Sequence, residues 1–365
     1  MALGIEPRTE ASAFWRFASP VLAVLATMLA GALLFAFLGR DPVVALRAFF
    51  VSPLSSVYGL GELGLKATPL VLIAVGLAFG FRAGVWNIGA EGQLTLGAIC
   101  GGGVALALSG THAPLALPLV ISAGILGGML WAAIPAFLRA RLEVNEILVS
   151  LMLSYVALLL LQALVYGPWK DPEGFNFPQS RMFDPAVILE PLWPGTRLHG
   201  GAVFALLLVA AAWILDAVGM AAFRLRTLGL APRAAAYAGF DRRRIVWGTM
   251  LASGGLAGLA GVLEVVGPIG QLVPQISPGY GFTAIIVAFL GRLHPLGILL
   301  AALLVALSYI GSENAQIEAG LPQAAAGVFQ GMLLLFLLAA DFFVRYRVRR
   351  IDTPRRAREI RPWTP

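Results

Sequence analysis

The sequence predicts an all-α, polytopic membrane protein of about ten transmembrane helices, with both ends in the cytoplasm. Three observations predict it. Of 365 residues, 59% are hydrophobic and 12% charged, about half the charge density of a soluble domain; that leaves too little polar surface for a water-soluble globule. The apolar residues fall in blocks of about 20, the length that crosses a ~30 Å hydrocarbon core at ~1.5 Å per residue. The basic residues, 24 of 26 of them Arg, sit mostly in short connections and in the tail. That is the placement of topology signals, and no nucleic-acid partner is expected.

In chain order the predicted spans are 17–39, 62–80, 93–109, 115–138, 145–167, 200–222, 245–267, 277–290, 295–311 and 323–344. The first is longer than a signal-peptide core. It ends in Gly39-Arg40-Asp41 with no small-x-small site, so it reads as a retained helix. Cys100 is the sole cysteine, lies in an apolar block and reads as a small packing residue. The eighth span is short and opens Ser277-Pro278-Gly279, which predicts a broken or re-entrant segment; 81–92 is also too irregular for an ordinary helix. With the N-terminus inside, segments 1–16, 81–92, 139–144, 223–244, 291–294 and 345–365 hold 20 Lys/Arg. The outside segments 40–61, 110–114, 168–199, 268–276 and 312–322 hold 5. That asymmetry sets the orientation.

Three regions follow: a cytoplasmic segment 1–16, a membrane domain 17–344 and a basic cytoplasmic tail 345–365. Segment 168–199 is the largest external loop. Its prolines oppose regular helix and its aromatics suit the membrane interface. Segment 223–244 is the main internal loop, in which Ala234-Ala235-Ala236 followed by Gly239 predicts a short helix over 231–239.

Several chemistries are missing from the sequence. It holds no Gly-Lys pair and so no P-loop for ATP, no His-Glu-x-x-His and no Gly-x-Ser-x-Gly. The histidines His112, His199 and His294 are scattered, and no Cys/His set can hold a metal. No cofactor is expected, and an enzyme is not supported.

The densest polar constellation runs from Arg82 to Gln93. A charge facing lipid at bilayer depth costs about 2.5–3.5 kcal/mol, so Asn87, Glu91 and Gln93 should face protein or water. Two readings stand: a broken segment beside a transport path, or a cytoplasmic turn with Glu91 paired to Arg82. The second constellation, Ser277 to Thr283, again interrupts a short span. One interrupted span in each half is the pattern of an internally repeated transporter with its path between the halves. Glu62 and Lys66 lie four apart, so one helix face can pair them. Glu264 reads as a vestibule residue or a solvated end. Gly254, Ala257, Gly258 and Gly261 form a stripe for close helix packing.

Asn87-Ile88-Gly89-Ala90-Glu91-Gly92-Gln93 resembles the Asn-x-x-x-Glu-Gly signature of ABC-importer permeases of the ribose/branched-chain amino acid class. Gly279 to Gly291 resembles their second signature, a Gly-rich start followed by Ala-Ile-x-Val-Ala-x-Leu-Gly, and Gly229 to Gly261 resembles their cytoplasmic loop and following helix. The likeness covers about 60–340. Phe81-Arg82-Ala83-Gly84 ahead of Asn87 is most similar to the nucleoside and simple-sugar branch. The resemblance implies an inner-membrane permease that works with an ABC ATPase, a second permease chain and an external solute-binding protein. It implies ATPase coupling through Ala234, Ala235, Tyr237 and Gly239, and a path that includes Asn87, Glu91, Gln93 and Thr283. Where such permeases carry Glu-Ala-Ala, this sequence has Arg233-Ala234-Ala235. The rival readings are an ion-coupled carrier using Glu62, Lys66, Glu91 or Glu264, and a membrane enzyme with Glu91 as acid or base.

Overall fold

A computed structural model describes residues 2–7, 13–110 and 115–351. His112, part of the 1–16 segment and the end of the basic tail lie outside the described residues. Among the described residues the regular structure is helical, apart from one two-stranded ribbon. Strand β1 (Ala2–Pro7) is followed by α1 (Ala13–Phe37), α2 (Pro42–Phe50), α3 (Val57–Arg82), α4 (Ala90–Ala107), α5 (Ala116–Leu142) and α6 (Glu146–Tyr166). After the long loop come α7 (Gly201–Val218), α8 (Met220–Leu230), α9 (Pro232–Tyr237) and α10 (Arg242–Glu264). The chain ends with α11 (Tyr280–Leu290), α12 (Pro295–Glu318), α13 (Gln323–Arg345) and strand β2 (Tyr346–Ile351).

Polar side chains fix where the helices begin. Asp41 accepts the backbone N–H of Val43, Ser56 that of Gly59, Asn145 that of Ile147 and Asp241 that of Arg243, each satisfying a donor the helix itself cannot pair. Among the described residues six helices are long and apolar enough to cross a bilayer: α3, α5, α6, α7, α12, and α10 with its π-helical extension to Ile269. α4 is less apolar, because Glu91, Gln93, Thr95 and several glycines interrupt it. α2 lies inside the predicted external segment 40–61.

The centre of the bundle is α10, packed against α5, α4 and α3. The predicted small-residue stripe makes this contact. A Cβ on Gly258 would lie 2.9 Å from Gly128 Cα of α5, and a Cβ on Gly97 of α4 would strike the Gly258 backbone. Absent side chains let three helix backbones approach, which drives helix association where lipid and protein are equally apolar. α3 and α10 are mostly buried, whereas α5, α6 and α7 turn most of their apolar residues outward, as lipid-facing helices do. A second layer of α1, α2, α12 and α13 closes around Phe35, Phe49 and Phe329, with ring centroids 4.3 Å apart for Phe49–Phe329 and 5.3 Å for Phe35–Phe329.

The long loop between α6 and α7 is tied to the bundle by its backbone. Ser180 N–H donates to Leu272 O (2.9 Å), Phe183 N–H to Gly270 O (2.9 Å) and Leu189 N–H to Val266 O (2.8 Å). These bonds satisfy the irregular stretch after α10, which has no ladder of its own. His199 accepts the Gly201 N–H through Nδ1 (3.1 Å) ahead of α7, and burial pushes its pKa down to about 4, which keeps the imidazole neutral. β1 and β2 pair antiparallel, Ala2 opposite Ile351 and Pro7 opposite Tyr346. This ribbon is a small addition to the expected all-helical architecture.

Candidate functional site

The two interrupted segments meet. Glu91, in the first turn of α4, accepts the Gly281 N–H at the start of α11 (2.7 Å to Oε2). A Cβ on Gly281 would fall against the backbone of Ala90 and Glu91, so only glycine permits this approach. Ser277 accepts the N–H groups of Gly279 (3.0 Å) and Tyr280 (2.8 Å), capping α11 beside the carboxylate. An anion at a helix N-terminus is favoured by the unpaired N–H groups and the helix dipole. The expected alternative of Glu91 paired with Arg82 is not what forms.

Asn87 and Gln93 form a reciprocal amide pair, Asn87 Nδ2 to Gln93 Oε1 (2.8 Å) and Gln93 Nε2 to Asn87 Oδ1 (3.0 Å), and Asn87 also donates to Ser253 of α10 (2.9 Å). All three are buried, and they face protein. Thr283 stands apart from this network and shares a hydrogen bond with Tyr309 of α12 (3.0 Å), both half-buried. A second contact joins the segments: Phe289 stacks on Phe81 and Trp86, the three ring centroids lying 5.0 to 5.7 Å apart.

This geometry identifies two signature segments, 190 residues apart in sequence, built as one joint. A family model described as the permease component of the branched-chain amino acid transport system matches residues 59–338, which contain both segments. The chain belongs to this permease family. It is 38% identical to a glucose ABC transporter permease of Haloferax volcanii over 95% of this chain and 93% of that protein. It is 33% identical to a guanosine ABC transporter permease of Bacillus subtilis (90% and 94%). It is 28% identical to a nucleoside ABC transporter permease of Lactococcus lactis subsp. cremoris (89% and 91%). No solved structure matches. The permease is therefore the multi-pass inner-membrane subunit of an ABC importer, and ATP hydrolysis belongs to a separate subunit. The family implies ATPase and solute-binding partners.

Residues outside the two motifs complete the permease joint. The irregular backbone ahead of α4 is satisfied by one face of α6. Glu146 accepts the Trp86 N–H (3.4 Å), Ser150 that of Ile88 (3.2 Å) and Ser154 that of Gly92 (3.3 Å). Non-helical backbone at membrane depth survives only where protein supplies such partners. The four-residue spacing of Glu146, Ser150 and Ser154 on an otherwise apolar helix was the readable signal for this role.

Arg82 sits at the end of α3, next to the joint. It donates to Asp216 at the end of α7 (2.6 Å) and to the carbonyl of Leu293, in the α11–α12 turn where Arg292 and Leu293 are left-handed. Arg226 of α8 donates to the same Asp216. One carboxylate thus ties α3, α7 and α8, and Arg82 extends the tie to the α11–α12 turn. Removing it leaves a largely buried guanidinium uncompensated, so Asp216→Ala is expected to lose roughly 3–5 kcal/mol of stability. Thermal unfolding of the detergent-solubilised permease checks this.

Glu62 and Lys66 pair differently from the local expectation. Glu62 binds Arg197 (2.6 Å) and Lys66 binds Glu313 (3.5 Å), so the four-residue spacing of Glu62 and Lys66 is not used as an ion pair. Short-range spacing permits a pair, but the tertiary partners are closer. At the predicted coupling segment, α9 spans Pro232–Tyr237 and Gly239 is left-handed (φ 76°). Ala235 is buried against Val246 and Met250 of α10, Ala234 is exposed, and Tyr237 is almost fully exposed.

Proposed function

We propose that this permease moves a neutral, hydroxylated solute, a nucleoside or simple sugar, from an external binding protein into the cytoplasm. The observation that carries the reading is the Glu91–Gly281 joint. α11 has 11 residues, about 16 Å of helix, short of a ~30 Å bilayer core. The 270–279 stretch enters from outside and the 83–89 stretch from inside, so the joint lies near the middle of the membrane, where transporters with broken helices bind solute. The path runs beside it, with Thr283 presenting a hydroxyl, and Asn87, Glu91 and Gln93 holding its wall. The names of the glucose, guanosine and nucleoside permeases support the solute class.

Ten helices cross, and 17–344 forms the membrane domain between cytoplasmic segments 1–16 and 345–365. The antiparallel pairing of β1 with β2 supports ends on one side, as an even number of crossings requires. Loop 168–199 receives the binding protein, and a second permease, a different chain, completes the pore. α9 docks into the ATPase through Ala234, Tyr237 and Gly239, with Ala235 anchoring it to α10. ATPase closure then moves α8 and α9, and the Asp216 node carries that motion to α3 and the α11–α12 turn. Replacing Tyr237 and Gly239 with Asp is expected to abolish uptake while membrane insertion persists. Normal uptake by that variant would remove this segment from coupling.

A further inference from the structure

We propose a hydroxyl-recognising subsite at the outer end of the bundle, built by Glu62, Glu264, Tyr280 and Tyr309 where α3, α10, α11 and α12 converge. The inference rests on the solute reading above and names the contacts that sort solutes within it. Two half-exposed side chains mark the mouth: Arg197, bound to Glu62 through Nε (2.9 Å) and a terminal nitrogen (2.6 Å), and Glu313, paired with Lys66. Behind them Glu264 is buried, within electrostatic reach of Lys66, Arg197 and Glu62.

Next to these carboxylates lies Tyr280. Its side chain is fully buried, and its hydroxyl is the one buried side-chain polar atom without a hydrogen-bond partner among the described residues. Glu264, Glu313, Glu62 and Tyr309 all lie within electrostatic reach of it. A buried hydroxyl without a partner is a standing penalty, which phenylalanine of the same shape avoids. A partner arriving during the transport cycle removes the penalty. Tyr280 and Tyr309 meet edge to face at 5.8 Å, and Tyr309 is bonded to Thr283.

Carboxylates accept hydrogen bonds, phenols donate and accept them, and aromatic faces pack against C–H groups. That set suits the vicinal hydroxyls and the ring of a furanose or pyranose. Tyr280 immediately precedes Gly281, which bears on Glu91, so the subsite stands directly outside the joint.

The test uses the complete importer in proteoliposomes, with its binding protein saturated by labelled guanosine or labelled glucose. The solute that the wild type moves is then compared with its 2′,3′-dideoxy or 2-deoxy analogue. Tyr280→Phe is expected to unfold at or above the wild-type temperature. It is expected to move the hydroxylated solute about ten-fold more slowly, the worth of one unmade hydrogen bond, while the deoxy analogue is slowed by less than two-fold. Equal slowing of both, or of neither, overturns the subsite alone. Transport of neither guanosine nor glucose by the wild type overturns the solute reading and the subsite with it.

Discussion

Glu91→Ala is expected to abolish uptake and to remove roughly 3 kcal/mol of stability, the worth of hydrogen bonds to a buried charged acceptor. The carboxylate is buried and accepts the Gly281 N–H at 2.7 Å. Without it that N–H is orphaned at the positive end of α11, and the two interrupted segments lose their polar contact. Glu91→Gln keeps an acceptor oxygen but not the charge that complements the helix end, so it should fall between alanine and wild type. Uptake in proteoliposomes and thermal unfolding in detergent measure the two effects. An alanine variant that moves solute at the wild-type rate would show that the joint is no part of the path.

Gly258→Leu carries the other large effect. A Cβ at this position would lie 2.9 Å from Gly128 Cα and 3.0 Å from Gly128 N. These are backbone atoms, so no rotamer change relieves the clash. Overpacking ordinarily costs about 1–3 kcal/mol, and here it would force apart the three central helices. The variant is expected to lose its folded form in the membrane, read as aggregation on size-exclusion chromatography. Gly248→Ala on the same helix is the control. A Cβ there meets nothing, and alanine raises helix propensity by up to about 1 kcal/mol, so this variant should be as stable as wild type or more so.

The helices were legible because a bilayer demands long apolar runs, and those runs stand out in the sequence. The small-residue stripe of α10 was legible for a related reason: glycines four apart on an apolar helix have few uses other than close approach. What could not be read was the choice among distant partners. Arg197 reaches Glu62 across 135 residues, and Glu91 reaches Gly281 across 190. Local spacing instead suggested Lys66 for Glu62 and Arg82 for Glu91. Both suggestions satisfied charge, but neither could anticipate which helices the fold brings together. α2 escaped notice because nine residues are too few to mark a span. Ser253 escaped because its bond to Asn87 spans 166 residues.

The α8–α9 segment is expected to lie in the cytoplasm and to receive force from a separate ATPase. Thiol accessibility tests it most directly. Tyr237 is almost fully exposed, and Cys100 is the sole native cysteine, so Tyr237→Cys in a Cys100→Ala background offers one reactive site. A membrane-impermeant maleimide should label it in inside-out vesicles, leave it untouched in right-side-out vesicles, and be blocked when the ATPase subunit is bound. Labelling from the external face would contradict the account.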